Sequence, residues 1–198
     1  MNAKIYHTGP LDAVEREYRT IVSRATGQVW LDRNIGADSR TSASTYDTDT
    51  WNDSYGLVFR WDDVMFRDPP NNTEKGPFHI DGPNPICPFG FRLPTTAEWC
   101  EEAANGTGGS PGCPDDDIGA ISNGATAFYH LLLPMAGRKT SLGEGSAAAG
   151  VHYLGTYGQY WSSNFSDDNG QNLYFRSGDA YLTTDPKSLG FPIRCLKD

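Results

Sequence analysis

Hydrophobic and polar positions change period several times along this chain. Thr20-Ile-Val-Ser, Arg24-Ala-Thr-Gly27 and Gln28-Val-Trp-Leu-Asp32 read as strand, turn and strand. A polar loop over residues 37–55 leads to a short apolar strand at Gly56-Leu-Val-Phe-Arg-Trp61, and a Pro/Asn-rich loop runs from Asp68 to Pro85. The strongest helix signal is Leu93-Pro-Thr-Thr-Ala-Glu-Trp-Cys-Glu-Glu-Ala-Ala104. There Thr95 and Glu98 have capping-box spacing, and Asn105-Gly-Thr-Gly-Gly supplies a stop. A second short helix is expected at Ala125–His130. Leu131-Leu-Leu-Pro-Met-Ala136 reads as a buried strand with Pro134 marking an edge or bulge. Residues 1–17 are mixed and read as an N-terminal arm or a short helix, with Leu11–Arg19 the amphipathic stretch.

From residue 151 onward the character changes. Tyr, Ser, Asn and Gly crowd together, and short strands are expected at Tyr160–Ser162, Leu173–Phe175, Ala180–Thr183 and Phe191–Cys195. Alternation turns Leu173 and Phe175 inward and Tyr174 and Arg176 outward. It likewise sets Tyr181 and Thr183 opposite Ala180 and Leu182. Rigid amphipathic rings among small polar groups make up the chemistry of a binding surface. With loop positions added, the proposed ligand-binding set is Tyr157, Gln159, Asn164, Asp167, Asn169, Asn172, Tyr174, Arg176, Asp179, Tyr181, Thr183 and Asp185. A meander with ordinary polar loops is the plainer alternative.

Composition narrows the function. The 198 residues carry 16 Lys+Arg against 25 Asp+Glu, a formal charge of −9, which argues against a nucleic-acid partner. No apolar run approaches the ~20 residues of a membrane span, and the opening residues lack the apolar core of a signal peptide. The 22 Gly and 13 Pro exclude a long-helix architecture, while 5 Trp, 10 Tyr and 9 Phe supply core volume. Cys87, Cys100, Cys113 and Cys195 allow three disulfide connectivities, or four buried thiols. The favoured pairing is Cys87–Cys195 with Cys100–Cys113, because a bond from mid-chain to residue 195 would anchor the tail on the core.

Most short motifs fail on chemistry. Gly108-Gly-Ser-Pro-Gly112 has the hydrolase G-x-S-x-G pattern, but Pro111 has no N–H for an oxyanion hole. Gly143-Glu-Gly-Ser-Ala-Ala148 lacks a following helix for dinucleotide binding. Trp51-Asn-Asp53 and Asp115-Asp-Asp117 leave calcium conceivable but unsupported. The histidines are scattered and no C-x-x-C pair occurs, so no metal or other cofactor is expected. No catalytic residue can be nominated.

Several segments taken together carry a family resemblance. They are Gln28-Val-Trp-Leu-Asp-Arg-Asn-Ile-Gly-Ala37, Tyr55-Gly-Leu-Val-Phe-Arg-Trp61, Ile86-Cys-Pro-Phe-Gly-Phe-Arg-Leu-Pro-Thr-Thr-Ala-Glu-Trp99, Leu132-Leu-Pro-Met-Ala-Gly-Arg138, Tyr160-Trp-Ser-Ser163, Leu173-Tyr-Phe175 and Ile193-Arg-Cys-Leu-Lys-Asp198. In this order they resemble the Fibrobacter succinogenes major paralogous domain, a C-type-lectin-like family. Within it they are similar to the variable proteins of diversity-generating retroelements. The resemblance covers about residues 18–198. It implies an α+β, C-type-lectin-like domain with short antiparallel strands, about two helices and long loops. It further implies a non-enzymatic display protein whose segment of about 151–198 is a hypervariable region binding a protein or glycan on a cell or virus surface. Trp161, Phe175 and Arg194 would then be framework, and a cell-surface or virion location is expected. The alternatives are a relative of the formylglycine-generating oxidases, which need a reactive cysteine pair, and a calcium-dependent lectin.

Overall fold

Among the residues that the computed structural model describes (4–8, 14–39, 55–61, 86–103, 113, 120–139 and 151–198), four small antiparallel sheets and two short helices share one interior. The class is α+β. Strands β1 (Ile5–Thr8) and β2 (Glu15–Tyr18) form a hairpin. A sheet ordered β3-β4-β13-β6 joins β3 (Thr20–Val22), β4 (Val29–Leu31), β13 (Leu196–Lys197) and β6 (Phe91–Arg92). A second, ordered β5-β12-β7-β8, joins β5 (Val58–Arg60), β12 (Gly190–Pro192), β7 (Arg138–Lys139) and β8 (Val151–His152). The third, β11-β10-β9, is the longest: β9 (Tyr157–Ser166), β10 (Asn169–Arg176) and β11 (Ala180–Pro186).

The helices are α1 (Thr96–Glu102) and α2 (Gly124–Leu131). The capping box expected at Thr95 and Glu98 is present: the Thr95 hydroxyl accepts from the Glu98 N–H, and the Glu98 carboxylate accepts from the Thr95 N–H at 2.6 Å. Asn123 and Thr126 build the same device on α2. The strand expected at Leu131–Ala136 does not form. Leu131 closes α2, Leu132 caps it in the left-handed region at φ 54°, and the chain runs on irregularly. The carbonyls of Leu131 and Leu132 accept from the buried Arg194 guanidinium instead of a neighbouring strand. Over Leu11–Arg19, no helix forms at Glu15–Tyr18. Arg16 and Tyr18 are buried and Glu15 is exposed, which is strand alternation.

The interior divides into two clusters. One packs Trp30, Trp99, Leu131, Leu133, Tyr160, Leu173 and Phe175 between α1, α2 and one face of β9-β10-β11. The other packs Trp61, Phe59, Trp161, Phe191 and Ile193 beneath β5 and β12. The indole N–H groups of these four tryptophans are all satisfied: Trp30 by Glu102, Trp61 by Ser162, Trp99 by Trp161 and Trp161 by Phe59. Such pairing is what allows rings this large to sit fully buried. Both disulfides pair as favoured, Cys87–Cys195 and Cys100–Cys113.

Arg194 ties the clusters together. Its guanidinium donates to Asn34 Oδ1 at 3.1 and 2.9 Å, to the Leu31 carbonyl at 3.1 Å, and to the Leu131 and Leu132 carbonyls. Burial pulls its pKa down to about 10.

Candidate functional site

The nominated residues lie on one sheet, and register sorts them. Tyr174 of β10 faces Tyr181 on β11 and Gln159 on β9, while Asn172 faces Thr183 and Trp161. One face therefore carries Leu173, Phe175, Ala180 and Leu182 against α1 and α2. The opposite face carries Tyr157, Gln159, Trp161, Asn172, Tyr174, Arg176, Tyr181, Thr183 and Asp185. Gly158 permits this arrangement, since a Cβ there would stand 2.3 Å from the Phe175 ring. Gly170 does the same beneath Trp61.

The outward face is itself only half open. At the Trp161 end it is covered: Trp161 stacks on Phe191 at 4.0 Å. At the other end a row of tyrosines emerges. Tyr153 stacks on Tyr157 at 4.6 Å, Tyr157 lies 5.3 Å from Tyr174, and Tyr174 lies 4.8 Å from Tyr181. No other described residue hydrogen-bonds to these four hydroxyls. Burial raises the pKa of Tyr157 to about 12 and pushes Tyr174 up as well. Arg176 closes a bidentate pair with Asp179 beside the row, with both contacts at 2.8 Å.

Between the covered end and the row runs a polar seam. Asp185 Oδ2 accepts from Gln159 Nε2 at 2.9 Å and from Asn172 Nδ2 at 3.1 Å, and Arg138 lies 3.8 Å from Asp185 Oδ1. Gln159 and Asn172 were expected at the surface; they are 2% and 0% exposed. Sheet β5-β12-β7-β8 lies over that part of the face, and alternation within β9 and β10 cannot reveal it. Burial raises the pKa of Asp185 despite its amide donors and Arg138.

The remaining positions separate. Asn164, Asp167 and Asn169 lie toward the far end of β9-β10, about 23–30 Å from Tyr157 at ordinary strand rise. Asn164 is engaged structurally: its Oδ1 accepts from the Thr96 N–H at 2.8 Å and holds α1 to β9. The Asp167 carbonyl accepts from Lys187 Nζ, whose ammonium lies against both the Trp61 and Phe165 rings. Thr183 helps line a cavity of about 120 Å³ with Thr96, Gln171, Leu182 and Thr184. The structure thus brings together Tyr157, Tyr174, Arg176, Asp179 and Tyr181. It adds two residues that the sequence reading omitted, Tyr153 and Arg138, whose guanidinium lies 5.6 Å over the Tyr153 ring. Tyr153 lies four residues before Tyr157 in the aromatic-rich segment, the one local signal for it. Arg138 reaches the site through contacts distant in sequence: its neighbour Gly137 bridges Gly158 and donates to the Tyr157 carbonyl at 2.9 Å, and β7 pairs with β8.

Among the described residues, no three His, Cys, Asp or Glu side chains converge as a metal site, and no cysteine is free. The Trp51–Asp53 and Asp115–Asp117 runs and the Gly108 and Gly143 motifs lie outside the described residues. No helix of the described residues is long and apolar enough to cross a membrane. No protein-family model matches the chain, nor does any curated protein or solved structure.

Proposed function

We propose that this protein is a non-enzymatic ligand-binding display protein, a C-type-lectin-like domain of the kind found as variable proteins of diversity-generating retroelements. Its binding face is the tyrosine end of β9-β10-β11. The observation that carries the reading is the row Tyr153–Tyr157–Tyr174–Tyr181, whose hydroxyls bond no other described residue while the reverse of the same strands is buried core. Such strands separate two duties. Leu173 and Phe175 fix the backbone, and Tyr174 between them is free to contact a ligand or to change. Disulfide bonding of all four cysteines also speaks against the oxidase alternative, because that chemistry needs a thiolate.

The test is the distribution of natural variation at the encoding locus. In many cells of one population, substitutions are expected to concentrate at the codons of Tyr157, Tyr174, Arg176, Tyr181 and Thr183. Tyr160, Trp161, Phe175 and Arg194 are expected to stay constant. Variation spread evenly along the gene would overturn the reading.

A further inference from the structure

The tyrosine row has a property that narrows what it can hold. Tyr157 lies between Tyr153 and Tyr174, and Tyr174 lies between Tyr157 and Tyr181, with interplanar angles of 26°, 39° and 32° along the row. The Arg138 guanidinium overlies the end ring Tyr153. The ring faces along the row are therefore turned toward one another, one pair stacked and two tilted, which leaves mainly ring edges and phenol hydroxyls facing outward. Among the described residues, only the outer side of Tyr181 ends the row without a ring or guanidinium against it. A sugar ring or a nucleobase is gripped on an open aromatic face, and this row offers one such face at most. A polypeptide surface needs none. Phenol hydroxyls both donate and accept, and the electropositive ring edges suit backbone carbonyls.

Charge narrows the ligand further. Arg176 is closed on Asp179 and Arg138 lies against Asp185, so the cations flanking the row already face carboxylates of this chain. Among the described residues, the charges flanking the row therefore balance in pairs. We infer that the occupant of this face is a folded protein presenting an uncharged patch, held edge-on through the hydroxyls of Tyr157, Tyr174 and Tyr181. This rests on the binding-face reading above and extends it by naming the class of ligand.

The experiment uses two defined probes on the whole protein. One is a phage-displayed library of folded fibronectin-type domains with randomised loops; the other is a printed glycan array. Each is applied to the unmodified chain and to Tyr174→Phe, Tyr181→Phe, Tyr174→Ala and Tyr181→Ala. Tyr129→Ala serves as the control for an exposed tyrosine elsewhere, 72% exposed on α2. Most recovered domains are expected to lose about tenfold in affinity with each Ala variant and severalfold with each Phe variant. They should be indifferent to Tyr129→Ala and hold their affinity from about 0.05 M to about 1 M salt, and no glycan should be retained. The Phe variants keep the rings, so they separate loss of the hydroxyl from loss of folding. Domains that bind the row but tolerate both Phe variants would overturn the edge-on assignment. Domains released from the row by salt would overturn the uncharged patch. Glycan retention lost in Tyr181→Ala would overturn the ligand class and leave the binding face standing. A blank array, with every domain bound away from the row, would overturn both.

Discussion

Arg194 shows how much one side chain can decide. Its fork takes carbonyls from β4 and from the end of α2 and is bridged by Asn34, so several segments depend on one guanidinium. Lysine has the charge but not the planar fork. Arg194→Met would leave those acceptors buried and unpaired, and is expected to cost about 3–5 kcal/mol in denaturant unfolding. Arg194→Lys should recover only part of that loss. Two carboxylates make opposite pH predictions. Burial pushes the Asp185 carboxyl above its ordinary 3.8, so the folded state holds a proton that the unfolded chain has released. Between 3.8 and the raised value, this group's contribution to stability grows as pH falls. For Glu98, burial raises the pKa, but the Arg92 fork and the Thr95 donors outweigh it and the net value lies below 4.5. That contribution is present above 4.5 and disappears as pH falls through the lower folded value. Acid titration of the denaturation midpoint should therefore be steeper for Asp185→Asn and shallower for Glu98→Gln than for the parent chain.

At the scale of elements, α1 depends on contacts at its first turn. Thr95 satisfies one orphan N–H from within the capping box, and Asn164 on β9 satisfies another at Thr96. Thr95→Ala and Asn164→Ala should each lower stability by about 1 kcal/mol, measured by thermal and denaturant unfolding. The capping box was legible in the sequence because its partners sit three residues apart. Asn164 was not, because its partner is 68 residues away. The same contrast runs through the candidate site. Alternation in Leu173-Tyr-Phe-Arg-Ser177 correctly turned Tyr174 and Arg176 outward, since one strand suffices to define two faces. Gln159 and Asn172, expected as exposed loop positions, instead lie inside longer strands and are buried, because β9 and β10 run past the short stretches expected and their outward face is covered by β7 and β12 from other parts of the chain. The expected strand after α2 failed for a related reason: its carbonyls were claimed by Arg194, over 60 residues onward.

For the molecule as a whole, the two disulfides close loops of very different length. Cys87–Cys195 spans 108 residues and Cys100–Cys113 spans 13. Loop-closure entropy assigns about 4–5 kcal/mol to the first and about 3 kcal/mol to the second. Replacing both cysteines of the long bridge by alanine should accordingly lower the denaturant midpoint more than the same change in the short one. An equal or reversed order would show that native-state contacts, and not chain entropy, govern the difference.

The position of Arg194 also bears on how the polypeptide matures during synthesis. Strand β4 and the end of α2 lie roughly 160 and 60 residues upstream of the group that unites them, and β13 follows it directly. A growing chain can close the β3–β4 turn and wind both helices early, yet their union waits until residues 194–196 have left the ribosome. Until then the tryptophans of both clusters stay within reach of chaperones, and native closure waits on the emergence of β13.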